Sequence, residues 1–181
     1  MIRAFIGLPL PQDVVQALQS VQGSLTVGRC VAAENLHLTL AFLDEQPEAA
    51  LAALHEELTA IRLPVPRLRI SGLDVFGGDK ARLVYASVAA DPDLAGLRTR
   101  VRGAVRKAGI HLPRERFRPH VTLARLRQRK APGEIERLYG FLARAGAFSL
   151  PEFTVREFVL YQSTLTPEGA IYDALASYPL G

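Results

Sequence analysis

The 181-residue chain has one cysteine, no apolar run of membrane-spanning length and one charged side chain among its first twelve residues. With Cys30 alone, an internal disulfide is excluded, which fits a reducing compartment such as the cytoplasm. A transmembrane helix needs about 20 consecutive apolar residues, so we expect none. The opening stretch "MIRAFIGLPLPQD" predicts a first β-strand better than a secretory signal, because one arginine and a short apolar run are too little for a signal peptide.

Positive charge is unevenly distributed along the chain. The net charge is only +4, but the segment "RERFRPHVTLARLRQRK", from Arg114 to Lys130, has seven basic residues and one acidic residue. Such a run is either a solvated arginine-rich edge or a binding surface for a phosphate chain. Because it surrounds a histidine motif, the second interpretation is favoured.

Two of the four histidines stand in the same four-residue phrase, "HLTL" at residues 37–40 and "HVTL" at residues 120–123. Side chains two residues apart on a β-strand project to the same face. Each phrase therefore predicts a His and a Thr on one face of a strand, with apolar residues on the other. The four residues are His37 and Thr39 in the first copy, and His120 and Thr122 in the second.

Apolar periodicity predicts two rounds of strand, helix, strand, helix, strand. The helices are expected to open at Pro11, Pro47, Pro92 and Pro132, with Asp91 as a cap and Gly109 as a stop for the third. The predicted strands are Ile2 to Leu8, Leu36 to Leu43, about Leu68 to Phe76, Arg82 to Ala89, about His120 to Leu126 and Phe153 to Tyr161. A last strand, Ala170 to Tyr178, has no counterpart in the first round.

The two rounds are offset by a nearly constant distance along the chain. The motif histidines are 83 positions apart, and the corresponding helix-opening prolines are 81 and 85 positions apart. We therefore expect one bilobal domain over residues 1–181, with repeat halves at roughly 1–78 and 79–165 and a C-terminal strand, 168–178, added. Two such lobes, packed about an approximate two-fold axis, would bring both motifs to one cleft.

Two histidines and two threonines suit displacement at phosphorus. Near neutrality one imidazole can accept a proton from a nucleophile while the other donates a proton to the leaving group. Threonine hydroxyls can hydrogen-bond the oxygens whose charge changes, and no metal or cofactor is needed. Two alternatives remain at this point: ordinary buried histidines on strands, and a zinc site, which would need further ligands that neither strand offers nearby. His55 and His111 are expected to be a helix residue and a loop residue.

The segments "IRAFIGLPLP", "ENLHLTLAFL", "FRPHVTLARLR" and "FTVREFVLYQSTLTPEGAIYDALASYPL" resemble the two-histidine phosphoesterase superfamily. Within it, the chain resembles the RNA 2′,3′-cyclic phosphodiesterases, historically called 2′-5′ RNA ligases. The resemblance implies an α+β fold of two similar lobes, each an antiparallel-type sheet flanked by helices, around a central cleft. Strand–helix–strand order alone would also fit parallel sheets.

The resemblance also implies roles for particular residues. His37 and His120 correspond to the catalytic pair, with His120 as the base and His37 as the acid. Thr39 and Thr122 correspond to the phosphate-binding hydroxyls, and Arg125 is expected near the phosphate. Strict alternation places Arg125 on the face opposite His120, so this role requires a β-bulge or a turn at the strand end. Phe42 holds the equivalent position in the first half, where it is either a base-stacking residue or part of the core.

The implied reaction is metal-independent hydrolysis of a terminal 2′,3′-cyclic phosphate to a 2′-phosphate, with weak reverse ligation. The expected partner is RNA with such an end, tRNA fragments included, and we expect a cytoplasmic monomer. The sequence departs from many relatives at Ala41, where they carry arginine, and in "GRCVAAEN", where they carry tryptophan. An idle RNA-binding module, and a phosphodiesterase for a small nucleotide such as an ADP-ribose cyclic phosphate, remain alternatives.

Overall fold

The computed structural model describes residues 1–167 and 169–181, and these ranges contain ten β-strands and four α-helices. The strands are β1 (Ile2–Pro9), β2 (Arg29–Cys30), β3 (His37–Gln46), β4 (Arg67–Leu68), β5 (Ile70–Phe76), β6 (Leu83–Val88), β7 (His120–Arg125), β8 (Phe153–Thr154), β9 (Glu157–Thr166) and β10 (Gly169–Pro179). The helices are α1 (Gln12–Gln22), α2 (Glu48–Thr59), α3 (Pro92–Lys107) and α4 (Glu134–Ala145).

The helices lie where the apolar steps predict them. Helix α3 shows the local reasons: the Asp91 side chain accepts a hydrogen bond from the Leu94 N–H at 2.8 Å, and Pro92 occupies the first turn. Gly109, with φ +79°, follows the helix end in the left-handed region that glycine tolerates best. The buried face of α3 consists of Leu94, Leu97, Val101, Ala104 and Val105.

The main sheet has the strand order β10–β9–β1–β3–β7–β6–β5, with β2 paired to β7. Every pair is antiparallel, so the parallel arrangement that strand–helix–strand order also allows is wrong. At the middle, β3 and β7 pair through a single assigned couple, Leu38 with Val121. The sheet is thus two antiparallel half-sheets that meet at the two motif strands, which confirms the bilobal α+β fold.

The third strand of each sequence round lies in the half-sheet of the other round. Strand β5 pairs with β6, and β9 pairs with β1. The order on the two sides of the β3–β7 junction is therefore equivalent, as a pseudo-two-fold arrangement requires. Strand β10 extends one edge by pairing with β9. Glu168, the first residue of the predicted C-terminal segment, lies outside the described residues.

The predicted strands differ from the observed ones mainly at their ends. The strand predicted at about 68–76 is divided into β4 and β5, and the one predicted at 153–161 is divided into β8 and β9. The short strand β2 has no counterpart among the predicted strands. The breaks are short, and the spacing of apolar residues does not change across them. Because that spacing is the signal that defines an element in a sequence, the breaks could not be predicted.

The apolar residues between the motif positions form the core. Leu38, Leu40, Val121 and Leu123 are all at most 1% exposed and pack in one apolar cluster with the buried faces of α1, α2 and α3. Burying one such side chain contributes about 1.5–3 kcal/mol, so the core fixes which face of each motif strand turns outward. Within the described ranges, none of the helices has the length and apolar character that crossing a bilayer takes.

Candidate active site

The two motifs lie side by side on neighbouring strands. Leu38 and Val121 are cross-strand partners and both are buried. In an antiparallel ladder the flanking residues then oppose each other and share the other face: Thr39 beside His120, and His37 beside Thr122. The histidines occupy diagonal positions, for which a regular ladder gives a separation of about 7–8 Å. This is a distance between backbone positions, and the two side chains are near enough for the charge of His120 to lower the pKa of His37.

Each histidine is oriented by the same backbone contact. His37 Nδ1 lies 2.7 Å from the carbonyl oxygen of Asn35, and His120 Nδ1 lies 2.7 Å from that of Arg118. A carbonyl oxygen only accepts hydrogen bonds, so Nδ1 carries the proton in both rings and Nε2 of the neutral ring is the basic nitrogen. Asn35 is itself tied to β10, because its side-chain N–H donates to the Ala170 carbonyl at 2.7 Å.

The electrostatic environment favours neutral rings. Burial lowers the pKa of His37 to about 4 from an ordinary 6.5. The Asn35 carbonyl opposes this change, while repulsion from the charges of His120 and Arg125 adds to it. Burial also lowers the pKa of His120, against the opposing contact with the Arg118 carbonyl. Both rings in this arrangement are therefore neutral near pH 7.

Aromatic side chains surround both histidines, but differently. The His37 ring centroid lies 4.7 Å from Phe5, 5.3 Å from Tyr172 and 6.3 Å from Tyr161. The His120 ring lies 4.9 Å from Phe76 and 5.4 Å from Tyr85. These rings limit the orientations that each imidazole can adopt.

Gly7 of β1 adds to the close packing around His37. A Cβ atom at this position would lie 3.1 Å from His37 Cδ2. A larger residue would therefore press on the ring.

A β-bulge sits after the threonine in both motifs. The register runs from Ile6–Ala41 to Gly7–Thr39 in one half, and from Val84–Ala124 to Tyr85–Thr122 in the other. Leu40 and Leu123 are the extra residues, and a bulge shifts side-chain alternation by one position. Arg125 and Phe42 thereby turn outward, to the face of the histidines. A role for Arg125 near the phosphate requires such a bulge or a turn at the strand end.

His37, Tyr161 and Tyr172 line a cleft of about 350 Å³, and two further clefts lie nearby. The first of these two, which we call the aromatic pocket, encloses about 210 Å³. Its lining includes Thr39, Phe42, Phe76, Glu115, Phe117, Arg118 and His120. Phe42 is 55% exposed, so it is a wall of the cleft and the core alternative for it is wrong.

The second cleft, which we call the polar groove, encloses about 750 Å³. Its lining includes Gln19, Gln22, Arg29, Cys30, Glu34, Asn35, Arg125 and Tyr172. Arg29 and Arg125 are cross-strand partners there. Burial raises the pKa of the Cys30 thiol, which makes this free cysteine less reactive.

Strand β7 divides the basic run into two groups. Arg114, Arg116 and Arg118 precede the strand, and Arg116 and Arg118 line the aromatic pocket. Arg127, Arg129 and Lys130 follow it, at the other end. Six residues of strand span about 20 Å, so the run is two basic surfaces and not one continuous patch.

The remaining histidines lie apart from these clefts. His55 Nδ1 lies 2.9 Å from the Tyr178 hydroxyl on the helical side, and His111 is exposed in a loop. In the part of the chain that the structure describes, no group of three or more His, Cys, Asp and Glu side chains is placed to hold a metal ion.

Sequence reasoning missed the residues that surround the two motif histidines. Phe5, Gly7, Tyr161 and Tyr172 come from β1, β9 and β10, which are distant from residue 37 along the chain. The one available signal was the aromatic content of the long C-terminal segment that carries the family resemblance. Glu115 was counted only as the single acid of the basic run.

The sequence and the fold both match known proteins. The family model of the 2′-5′ RNA ligase superfamily matches residues 10–166. The chain is 34% identical to the RNA 2′,3′-cyclic phosphodiesterase of Geobacillus stearothermophilus, an alignment that covers 97% of this chain and 56% of that protein. It thus spans little more than half the length of that relative.

A second relative is similar in length. The RNA 2′,3′-cyclic phosphodiesterase of Archaeoglobus fulgidus is 32% identical, over 91% of this chain and 88% of that protein. Among solved structures, E. coli LigT complexed with 3′-AMP superposes with a TM-score of 0.80 at 26% identity, covering 99% of this chain and 98% of that one. The chain therefore belongs to the 2′-5′ RNA ligase superfamily.

Proposed function

We propose that this chain is an RNA 2′,3′-cyclic phosphodiesterase, which opens a terminal cyclic phosphate to a 2′-phosphate. The observation that carries the proposal is the pair of imidazoles on one sheet face, each with Nδ1 held by a backbone carbonyl. In such rings Nε2 is the nitrogen that can meet a bound group; His37 Nε2 lies 3.0 Å from Thr39 Oγ1, and a bound phosphoryl group would take the place of that contact. The names of the two relatives and the 3′-AMP complex of E. coli LigT support the same substrate class.

The hydrolytic step follows from this geometry. His120 Nε2 accepts a proton from water as the water oxygen attacks phosphorus, and the bond from phosphorus to O3′ breaks on the opposite side. His37 donates a proton to O3′, which leaves a 2′-phosphate and a free 3′-hydroxyl. A bound phosphodiester anion favours the charged form of His37 and so raises its pKa toward the value that an acid needs.

Three further side chains act on the phosphoryl oxygens. The hydroxyls of Thr39 and Thr122 lie beside the two histidines and can donate hydrogen bonds as the charge changes. Arg125, brought to this face by the bulge at Leu123, supplies a two-pronged donor. Phe42 offers an exposed ring on which the terminal base stacks.

The reverse activity uses the same groups. If the 5′-hydroxyl of another RNA replaces water, the same displacement breaks the bond to O3′ and forms a 2′-5′ linkage. We further propose a monomer that acts in the cytoplasm on RNA ends, tRNA fragments included. The free thiol of Cys30 suits a reducing compartment.

The decisive experiment is turnover of nucleoside 2′,3′-cyclic monophosphates, and of an RNA with a cyclic end, in the presence of EDTA. We expect a 2′-phosphate product from both, identified by phosphorus NMR, with His111→Ala as an active control. A 3′-phosphate product would contradict the proposed leaving group. Binding without turnover would identify an RNA-binding module, and faster turnover of an ADP-ribose cyclic phosphate would identify a small-nucleotide enzyme.

A further inference from the structure

The aromatic pocket contains one carboxylate, and that carboxylate is held in place. Glu115 Oε1 accepts a hydrogen bond from Arg98 Nη2 at 3.0 Å and lies 3.6 Å from Arg102 Nη1. The Glu115 side chain remains 52% exposed. Among the described residues both contacts use Oε1, so Oε2 keeps its capacity to accept hydrogen bonds.

Helix α3 positions this part of the pocket. The Arg98 side chain is only 12% exposed, and its guanidinium carbon lies 4.4 Å from the centre of the Phe117 ring. Arg102 Nη2 donates to the Pro113 carbonyl at 2.7 Å. The loop of residues 113–118 is thus attached to α3 at three points, and Glu115 and Phe117 are presented together.

The two arginines also balance the charge of the carboxylate. An isolated acid near a phosphate site would repel the substrate, whereas Glu115 is paired with two guanidinium groups. Three aromatic rings, those of Phe42, Phe76 and Phe117, line the same cavity. A flat aromatic ligand matches these walls. The cavity is also lined by the arginine side chains of Arg98, Arg116 and Arg118. Among the described residues, Glu115 is therefore the one charged side chain there that can accept a hydrogen bond from a donor on the edge of such a ligand.

We propose that Glu115 reads the edge of the terminal nucleobase and makes the enzyme selective for bases with an amino group; this rests on the proposed function. A base stacked on Phe42 presents its edge across the pocket. Guanine offers two neighbouring N–H donors to a carboxylate, and adenine and cytosine each offer an amino group. Uracil offers one N–H between two carbonyl oxygens, which face a carboxylate unfavourably.

The test compares kcat/KM for the four nucleoside 2′,3′-cyclic monophosphates in the wild type and in Glu115→Gln. A hydrogen bond to a charged group changes kcat/KM by about tenfold or more. We therefore expect the uridine substrate to have the lowest kcat/KM in the wild type, by about that factor. In Glu115→Gln the guanosine, adenosine and cytidine substrates should fall toward the uridine value, while uridine changes little. An equal fall on all four would show that Glu115 only anchors the loop, and that result overturns the inference.

A matched control is available outside the aromatic pocket. Glu57 also forms an ion pair, with Lys107 Nζ at 3.2 Å, between α2 and α3. Glu57→Gln should leave base selectivity unchanged, and circular dichroism of both variants checks the fold.

Binding separates this inference from the proposed hydrolysis. Calorimetry with nucleoside 2′-monophosphates should show the same base order in the wild type and its loss in Glu115→Gln, whether or not the protein turns over cyclic phosphates. A wild type that hydrolyses the four substrates equally and binds the four products equally would overturn base reading while leaving the proposed function standing.

Discussion

The His37 half and the His120 half of the site share one backbone design but have different surroundings. Both use a His, an apolar residue and a Thr on a strand, a carbonyl two residues back that fixes Nδ1, and a bulge after the Thr. The outward residue that follows the bulge is Phe42 in one half and Arg125 in the other. In the proposed mechanism the repeated backbone supplies the acid–base pair, and the differing side chains separate base binding from phosphate binding.

The two halves also differ in burial. His37 lies under three aromatic rings and has its pKa lowered to about 4, whereas His120 has two aromatic neighbours and lines the open aromatic pocket. Thr39 Oγ1 lies 3.0 Å from His37 Nε2, an interaction without a counterpart at His120 in the described residues. A side chain that is held so closely suits a single role. Protonation of His37 therefore depends more on the charge of a bound substrate than protonation of His120 does.

Removing either histidine should have the largest effect. We expect His37→Ala and His120→Ala each to lower kcat on a cyclic mononucleotide by on the order of 10²–10⁴. The double variant should be little worse than either single one, because the two groups act as a unit. Steady-state kinetics measures this, and full activity in either single variant would contradict the paired mechanism.

The threonine variants should have the next largest effect, and they should distinguish the two halves of the site. Val keeps the shape of Thr and removes the donor, and removing one such donor costs on the order of 10²–10³ in kcat. Thr39→Val should be the more harmful, because it also removes the hydroxyl beside His37 Nε2. If the threonines serve only as good strand formers, both variants will be neutral or slightly stabilising. Thr99→Val, on the exposed side of α3, is the control for the substitution itself.

The repeated parts of the site could be predicted from the sequence, whereas the parts that join them could not. The His-x-Thr phrase and its offset were visible because side-chain alternation and apolar period are local signals. The bulges at Leu40 and Leu123 were not visible, since a bulge depends on the partner strand. Simple alternation puts Arg125 on the face opposite His120, which disagrees with the role proposed for it. Only the register between β6 and β7 resolves this disagreement.

The exchange of third strands was equally hidden. That β9 pairs with β1, and carries Tyr161 toward His37, depends on pairing between residues more than 150 positions apart along the chain. Composition indicates which segments are strands, while their pairing depends on tertiary packing. The short strand β2, which forms one wall of the polar groove, pairs with β7 and has no apolar pattern of its own.

The burial of His37 predicts a pH dependence of stability. In the unfolded chain the pKa is about 6.5, and in the folded protein it is about 4, so the unfolded state binds the extra proton between these values. Stability is fully present above pH 6.5 and falls as pH drops toward 4, by about 3 kcal/mol for this group. Urea unfolding at pH 7 and pH 4 should show a smaller decrease in His37→Gln than in the wild type. Equal decreases would place His37 in a more solvated position.

Arg125 and Phe42 should distinguish phosphate binding from base binding. Arg125→Ala should lower kcat/KM by about 10–100-fold for every substrate and raise KM, since the guanidinium also holds the ground-state phosphate. Arg125→Lys should recover only part of this loss.

Phe42→Ala should lower affinity by about 5–100-fold only for ligands that carry a base, and it should leave binding of inorganic phosphate unchanged. Equal effects on phosphate and nucleotide for both residues would mean that the two halves do not divide the substrate between them.

The smallest effects should come from the two basic groups at the ends of β7, and they decide along which side the RNA leaves the site. We expect both groups to contribute, because Arg116 and Arg118 line the aromatic pocket, while Arg127 and Lys130 line a small cavity beyond the other end of β7. Neutralising Arg114 and Arg116, or Arg127 and Arg129, should reduce affinity for an RNA oligonucleotide and flatten its salt dependence by about 0.7 in the logarithmic slope for each phosphate that the protein no longer neutralises. A cyclic mononucleotide carries no chain beyond the catalytic phosphate, so its kcat/KM should stay the same when Arg127 and Arg129 are neutralised. Because Arg116 lines the aromatic pocket, the other double variant should also change kcat/KM for the mononucleotide, but less than it changes affinity for the oligonucleotide. The pair with the larger change in slope marks the side along which the strand runs. An equal decrease for the oligonucleotide and the mononucleotide would show that the basic residues act on the whole site through their charge and not as a track for the chain.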